Sequence, residues 1–197
     1  MRVGRLKTNP ETYSSNAYLL RGNFNSLKDL TTLIDTGGDD FIIKEIEKIN
    51  TGAGKKKIDQ VILTHNHFDH SGGLKALKEK FNPLTLAFTK NKNIDKTLKN
   101  KQIINVADTQ FQVIYCPIHS NDSILLYNWE EKILFSGDTP LIINTTENSH
   151  NKAFLEIFDF LLSAKIETIY PGHGQPIYNA QHKLKRSYKN LQKSKLF

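Results

Sequence analysis

The chain has 197 residues, 38% of them hydrophobic and 24% charged, enough to bury a core without covalent staples and consistent with one domain over residues 1–197. No apolar run approaches the eighteen or so residues of a membrane span, and no apolar segment of the secretory type follows the basic stretch from Arg2 to Lys7, so a cytoplasmic protein is expected. The single cysteine, Cys116, excludes an intrachain disulfide, and the formal charge of +7, gathered at 55–57, 90–101 and 183–195, reads first as solvated basic faces.

In chain order, short apolar runs with β-branched residues alternate with helix-period stripes, and no repeat or low-complexity linker separates them. Residues 17–20 and 30–34 read as strands, after which Ile42, Ile46 and Ile49 recur at helical spacing. Residues 60–63 read as a strand, Leu74, Leu77 and Phe81 as a helical stripe, and residues 84–88, 111–115, 123–127 and 133–135 as further strands. Phe154, Ile157, Phe158, Leu161 and Leu162 mark another helix, and residues 168–170 a strand. Ala180, Leu184, Tyr188 and Leu191 form the apolar face of a lysine-rich final helix. The alternation places the chain in the α/β or α+β classes.

Five of the seven histidines, His65, His67, His70, His119 and His173, lie just after predicted strands, in turns rich in Gly, Pro, Asp or Ser. Strand ends are where a sheet presents side chains to a shared site. The densest cluster runs Thr64-His65-Asn66-His67-Phe68-Asp69-His70-Ser71-Gly72-Gly73. An extended chain from His65 to His67 puts both imidazoles on one side, and a turn into the next helix aims Asp69 and His70 toward a second metal nearby. Gly72 and Gly73 permit the close backbone approach such a turn requires. Imidazole nitrogens with carboxylates suit zinc, and two such groups together suit a two-metal hydrolytic centre.

His65-Asn66-His67-Phe68-Asp69-His70 resembles the H-x-H-x-D-H motif of the metallo-β-lactamase superfamily, and the other motifs of that pattern occur in order. They are Leu33-Ile34-Asp35-Thr36-Gly37, then Cys116-Pro117-Ile118-His119-Ser120, Phe135-Ser136-Gly137-Asp138-Thr139, and Tyr170-Pro171-Gly172-His173-Gly174. The resemblance covers nearly the whole chain, from about Asn16 to Tyr178. It implies an α+β fold, the four-layer αββα sandwich of that superfamily, with metals at the strand ends. By motif match, His65, His67 and His119 would hold one Zn²⁺, Asp69, His70 and His173 a second, and Asp138 would bridge them. Iron and manganese are the alternative metals. Asp69 and Asp138 would also be catalytic, and Asp35 would orient a ligand or its loop.

The third motif departs from the usual Thr-Pro-Gly-His-Thr-x-Gly-Ser, because Cys116, Ile118 and Asp122 stand at the Thr and the two Gly positions. Ile118 implies either an ordinary backbone conformation there or a different lining of the site. Cys116 reads as a small buried residue, and Asp122 as a turn carboxylate or a contact to substrate or to a ligand histidine. His150 and His182 fall outside the motifs and read as surface residues.

Two Zn²⁺ ions would bring four positive charges against three negative ones from Asp69, Asp138 and a bridging hydroxide. The site would then keep about one positive charge and favour an anionic transition state. The chain looks most similar to small glyoxalase-II-like hydrolases, and residues 170–179 also resemble the β-lactamase-like endoribonucleases. With few residues after the fifth motif, the accessory C-terminal domain of those enzymes is not expected. His67 in place of Glu argues against the flavodiiron type. The expectation is hydrolysis of an ester, thioester or lactone of a small anionic molecule, in a pocket shaped by loops 91–100 and 141–150. A metal-dependent endoribonuclease or phosphodiesterase, for which nucleic acid would be the partner, and an iron-dependent sulfur oxygenase are the alternatives. A non-catalytic binding protein on this fold would be expected to lose ligands, and all seven are present.

Overall fold

The structure, a computed structural model, describes residues 1–24, 26–52 and 54–196. The first half of the chain supplies β1 (Arg2–Leu6), β2 (Ala17–Arg21), β3 (Thr32–Ile34), β4 (Gln60–Ile62), β5 (Leu84–Ala87) and β6 (Lys96–Thr97). They form one sheet in that order, antiparallel across β1–β2–β3 and parallel from β3 to β6. Between them lie α1 (Phe41–Glu47), α2 (Phe68–Ser71) and α3 (Leu74–Phe81). The second half supplies β7 (Ile103–Val106), β8 (Thr109–Tyr115), β9 (Ile124–Asn128), β10 (Ile133–Gly137) and β11 (Ser149–His150). These are followed by α4 (Ala153–Ser163), β12 (Thr168–Pro171), β13 (Ile177–Tyr178), α5 (Ala180–Lys193) and β14 (Lys195–Leu196). The second sheet runs β13-β12-β10-β9-β8-β7, while β11 and β14 pair with each other.

Side-chain alternation along the strands explains the layering. Tyr18, Leu20, Ile34 and Ile62 of the first sheet meet Phe111, Val113, Leu126 and Phe135 of the second in a central core. Their strand neighbours point the other way: Ala17, Leu19, Leu33 and Val61 pack on Ile42 and Ile46 of α1 and Leu74 and Leu77 of α3. On the far side, Ile114, Leu125, Tyr127 and Leu134 pack on Phe154, Phe158 and Leu161 of α4 and on Leu184 and Leu191 of α5. Period-2 alternation with both faces buried gives the αββα sandwich. Among the described residues no helix is long and apolar enough to cross a membrane.

Several boundaries differ from the sequence reading, each for a local reason. Leu30 bridges Ala107 instead of extending β3, so that strand begins at Thr32. Ile49 lies past the end of α1, its N–H bonded to Ile46 O at 3.0 Å. β1 and α2 escape the periodicity argument, the former being a largely exposed edge strand and the latter only four residues long.

Asp95 clips α3 and β5 to the turn before β6. It accepts from Lys78 Nζ at 2.7 Å, Thr85 N at 2.9 Å and Thr85 Oγ1 at 2.8 Å. The Lys78 bond, with help from Thr85, holds its carboxyl at about 2. A depressed carboxylate contributes stability that is complete above its unfolded pKa near ~3.9 and is lost as pH falls through the folded value. Asp95→Ala is therefore expected to lower neutral-pH stability by about 1 kcal/mol, with the difference from wild type vanishing in melts below about pH 2. A gap that persists unchanged at that pH would contradict this account.

Candidate metal centre

Asp35 follows β3, Thr64 and His65 follow β4, His119 follows β8, Asp138 follows β10 and His173 follows β12. β3 and β4 are parallel, as are β10 and β12, and β8 and β10 both run antiparallel to β9. Their C-terminal ends therefore open on one edge of the sandwich. The two sheets are tied there by Ile124 N donating to Thr64 O at 2.9 Å.

The structure brings all seven expected residues together in two groups. In the first, the rings of His65, His67 and His119 stand 4.6 to 4.8 Å apart, with His67 Nδ1 3.0 Å from His119 Nε2. The backbone is extended at His67 and then turns into α2, which carries Asp69 and His70 away to the second group with Asp138 and His173. There Asp69 Oδ2 lies 3.0 Å from His173 Nε2, and Asp138 Oδ1 lies 3.1 Å from His70 Nε2. Asp138 Oδ2 is 3.5 Å from His173 Nε2 and 3.7 Å from His119 Nε2, so this one carboxylate faces both groups.

Asp35 stands behind the site. Its carboxylate accepts from Thr64 N and Thr64 Oγ1, both at 2.8 Å, and meets His70 Nδ1 at 2.8 Å. Asp35 can only accept when ionised, so Nδ1 carries a proton and Nε2 is turned toward Asp138. To make these contacts Asp35 adopts φ 57, a left-handed conformation that Asp tolerates better than most residues.

The charge balance points to cations. His70 is fully buried, which opposes its charge, yet Asp35 and Asp138 overcome that and raise it to about 10. Burial likewise opposes ionisation of Asp138, and the surrounding histidines, His70 foremost, bring it down to about 2. Burial and the neighbouring His70 push His65 down to about 4. Among the described residues, His65 Nε2 is buried with no hydrogen-bond partner, and His70 Nε2 and Asp138 Oδ1 are buried with only each other, 3.1 Å apart. Buried polar atoms rarely go unpaired. Imidazole nitrogens and carboxylate oxygens aimed at one small space, with three carboxylates around it, fit a divalent metal site.

The chain before β2 also organises the site, which the motifs do not reveal. Ser15 N donates to Asp69 O at 3.0 Å and Asn16 N to Gly172 O at 2.6 Å. Asn16 Nδ2 reaches Pro171 O and Gly174 O at 2.9 and 3.0 Å. Tyr13 stacks on His173 with ring centroids 5.0 Å apart and its hydroxyl 3.5 Å from Nε2. Partners this far apart, more than 150 residues for Tyr13 and Asn16, leave no local signal in a sequence.

Asp122 is the turn carboxylate, and it also clamps the first motif. It accepts from Asn66 N at 3.0 Å, Asn66 Nδ2 at 2.6 Å and Ser120 Oγ at 2.7 Å, fixing the backbone between His65 and His67 against the His119 loop. Cys116 is buried, and burial lifts its thiol to about 11, which suits a packing residue. Ile118 fills its position by packing on the core beneath α4 and α5. His182 is exposed as expected. His150 is not a plain surface residue: it is half-buried in β11, its ring packs on Phe154 at 5.6 Å, and its Nε2 is enclosed.

A cavity of about 360 Å³ opens beside the second group. His119, Asp138 and His173 stand at one side, and Leu141, Ile142 and Ile177 help to form its apolar walls. The 141–150 loop thus contributes as expected, but residues 91–100 do not line this cavity. Neither loop supplies an aromatic, yet Tyr13 and Phe68 stand at the site from elsewhere, 67% and 66% exposed.

Residues 11–98 match the family model described as the metallo-β-lactamase superfamily. The chain is 36% identical over 122 residues to a hydroxyacylglutathione hydrolase of Buchnera aphidicola subsp. Baizongia pistaciae, covering 59% of this chain and 45% of that protein. It is 28% identical over 165 residues to an atrochrysone carboxyl ACP thioesterase of Aspergillus fumigatus, covering 82% of this chain and 52% of that one. The chain spans about half the length of the curated relatives it matches. Among solved structures, the BLEG-1 B3 metallo-β-lactamase superposes with a TM-score of 0.66 at 20% identity, over 92% of this chain and 96% of that one. The rubredoxin oxygen:oxidoreductase of Desulfovibrio gigas superposes with a TM-score of 0.70 at 18% identity, over 95% and 56%.

Proposed function

From the premise that this chain has the metallo-β-lactamase fold and carries that superfamily's sequence pattern, we propose that it is a metal-dependent hydrolase of thioesters or esters of small anionic molecules. The observation that carries this reading is the single carboxylate, Asp138, facing both ligand groups beside an apolar cavity. His65, His67 and His119 would hold one divalent ion, Asp69, His70 and His173 a second, and Asp138 would reach both. Zinc is the first choice for this donor set. Bound there, the two ions would supply Lewis acidity and lower the pKa of water to roughly 7.

The chain's own residues do the rest. Asp35 holds His70 in register, and Asp122 holds the loop between His65 and His67. Asp69, beside His173 at 3.0 Å, would also accept the proton of the attacking water. The apolar walls around Leu141 and Ile142 receive the organic part of the substrate. The acyl–sulfur or acyl–oxygen bond breaks, an acyl–oxygen bond to water forms, and the thiol or alcohol leaves with a proton. The thioesterase and hydroxyacylglutathione hydrolase relatives support thioester substrates.

The test is elemental analysis after zinc reconstitution, combined with a panel of ester, thioester, lactone and phosphodiester substrates. Two ions per chain and metal-dependent thioester or ester cleavage are expected. A stoichiometry held at one under saturating zinc would sink the two-metal assignment. The second reading, cleavage of a nucleic-acid phosphodiester, is favoured by the exposed Tyr13 and Phe68 rings and the cations of α5. Tight RNA binding that weakens steeply with salt, together with metal-dependent RNA cleavage, would replace the first reading with this one.

A further inference from the structure

We propose that a second cavity, adjoining the first, seats an anionic group at the far end of the substrate, bound by Lys183, Arg186 and Ser187 of α5. The proposal rests on the hydrolase reading above and identifies where its substrate's charge is recognised.

The second cavity measures about 400 Å³ and shares Ile142 and Ile177 with the cavity at the metal centre. The two therefore adjoin at these aliphatic side chains, and a substrate spanning them would occupy a single recess. Its near end carries His119, Asp138 and His173, and its middle is aliphatic. Its far end is lined by Asn144, Lys183, Arg186 and Ser187. Lys183 and Arg186 lie one helical turn apart, three residues along α5, and so present their charges on one face. Both side chains are exposed, and among the described residues neither has a carboxylate or other hydrogen-bond partner.

Ser187 is the independent observation. It is 1% exposed, and its Oγ accepts from Ile143 N at 2.9 Å. Its own O–H has no acceptor among the described residues. A hydroxyl whose oxygen is already engaged is left as a donor. Two unpaired cations and one spare buried donor at the end of an apolar channel match a carboxylate or phosphate. A neutral end group could accept hydrogen bonds here but would leave the two positive charges without a counter-charge.

The test measures binding without turnover. Thioether analogues of a thioester, which cannot be hydrolysed, are made with the far end of the chain as carboxylate, phosphate or carboxamide, and titrated calorimetrically. Wild-type protein is expected to bind an anionic probe roughly ten-fold more tightly than the carboxamide, as for a charge-assisted hydrogen bond in a half-open site. The preference should fall to about one in the Lys183→Gln, Arg186→Gln double variant and survive largely intact in Arg186→Lys. Lys185→Gln, exposed on the same helix but outside the cavity, should keep the wild-type ratio. A phosphate preference assigns a phosphorylated substrate arm, and a carboxylate preference a carboxylic acid; either supports the subsite. Equal binding of all three probes by wild type, or a preference that survives the double variant, overturns it. A protein that discriminates among the probes yet hydrolyses no thioester or ester sinks the hydrolase reading alone. One that hydrolyses neutral thioesters without discriminating sinks the subsite alone.

Discussion

Gly172→Ala is expected to abolish metal retention and lower turnover by at least roughly a hundredfold, although it adds a single methyl group next to, not at, a proposed ligand. A Cβ on Gly172 would stand 2.1 Å from Asp138 Oδ1 and 2.6 Å from His70 Cε1. Neither neighbour can give way cheaply. His70 is fully buried and pinned at Nδ1 by Asp35. The glycine itself is held at N by Gly137 O at 2.8 Å and at O by Asn16 N at 2.6 Å. The carboxylate of Asp138 must therefore swing away, and with it the one group facing both ligand sets. The overpacking should also cost about 1–3 kcal/mol of stability. Gly174, two residues on, is the contrast. Its Cβ would meet nothing within 4 Å, but its φ is +84, so Gly174→Ala should cost about 1 kcal/mol through backbone strain alone. Calorimetric melts and metal content of the two variants separate clash from strain. A Gly172→Ala protein with wild-type metal content and turnover would mean that the packing of Asp138 against Gly172 is misjudged.

The strands were legible because both faces of the central ones are buried, so short runs such as 60–63 and 133–135 read as strands whichever core each side chain enters; their layering into a sandwich came from the motif resemblance. The clustering of the seven candidate residues was legible for a different reason: they sit at strand ends, in the order of the motifs the sequence resembles, and strand direction does the gathering. Asp69 and His70 required only that a turn follow His67. What stayed hidden depends on contacts between distant segments. Asn16 serves the His173 loop from 155 residues away, and Tyr13 reaches His173 from 160. Nothing near either residue marks it. The pocket illustrates the same limit. Loops 91–100 and 141–150 were both expected as walls, and only the second, through Leu141 and Ile142, lines the cavity beside the metal centre. His150 misled because its burial comes from the pairing of β11 with β14, two strands of two residues each, too short to leave a pattern.

Replacing Asp138 is expected to be the most damaging single change in the chain. His65, His67 and His119 belong to one group and Asp69, His70 and His173 to the other, whereas Asp138 approaches His70 and His173 in the second and His119 in the first. On the proposed assignment, loss of its carboxylate would remove a ligand from both sites at once. It also removes one of the charges that hold His70 protonated when no cation is present. Changes to groups that merely support ligands cost about 10–100-fold, so Asp138→Ala should reduce turnover by more than that and bring metal content well below two per chain. Asp138→Asn separates charge from shape, since the amide keeps the volume and loses the negative charge. It should retain the wild-type fold by circular dichroism and still fail to hold both ions. His182→Ala, exposed and outside both groups, is the control expected to match wild type in metal and rate. His150→Ala is a poorer control, because its ring packs against Phe154 and its removal should lower stability without touching metal content. Plasma emission spectrometry on the four proteins, with rates on the best thioester of the panel, gives the comparison. Full metal content and full activity in Asp138→Ala would mean that the two groups bind their ions independently and that the carboxylate between them is structural.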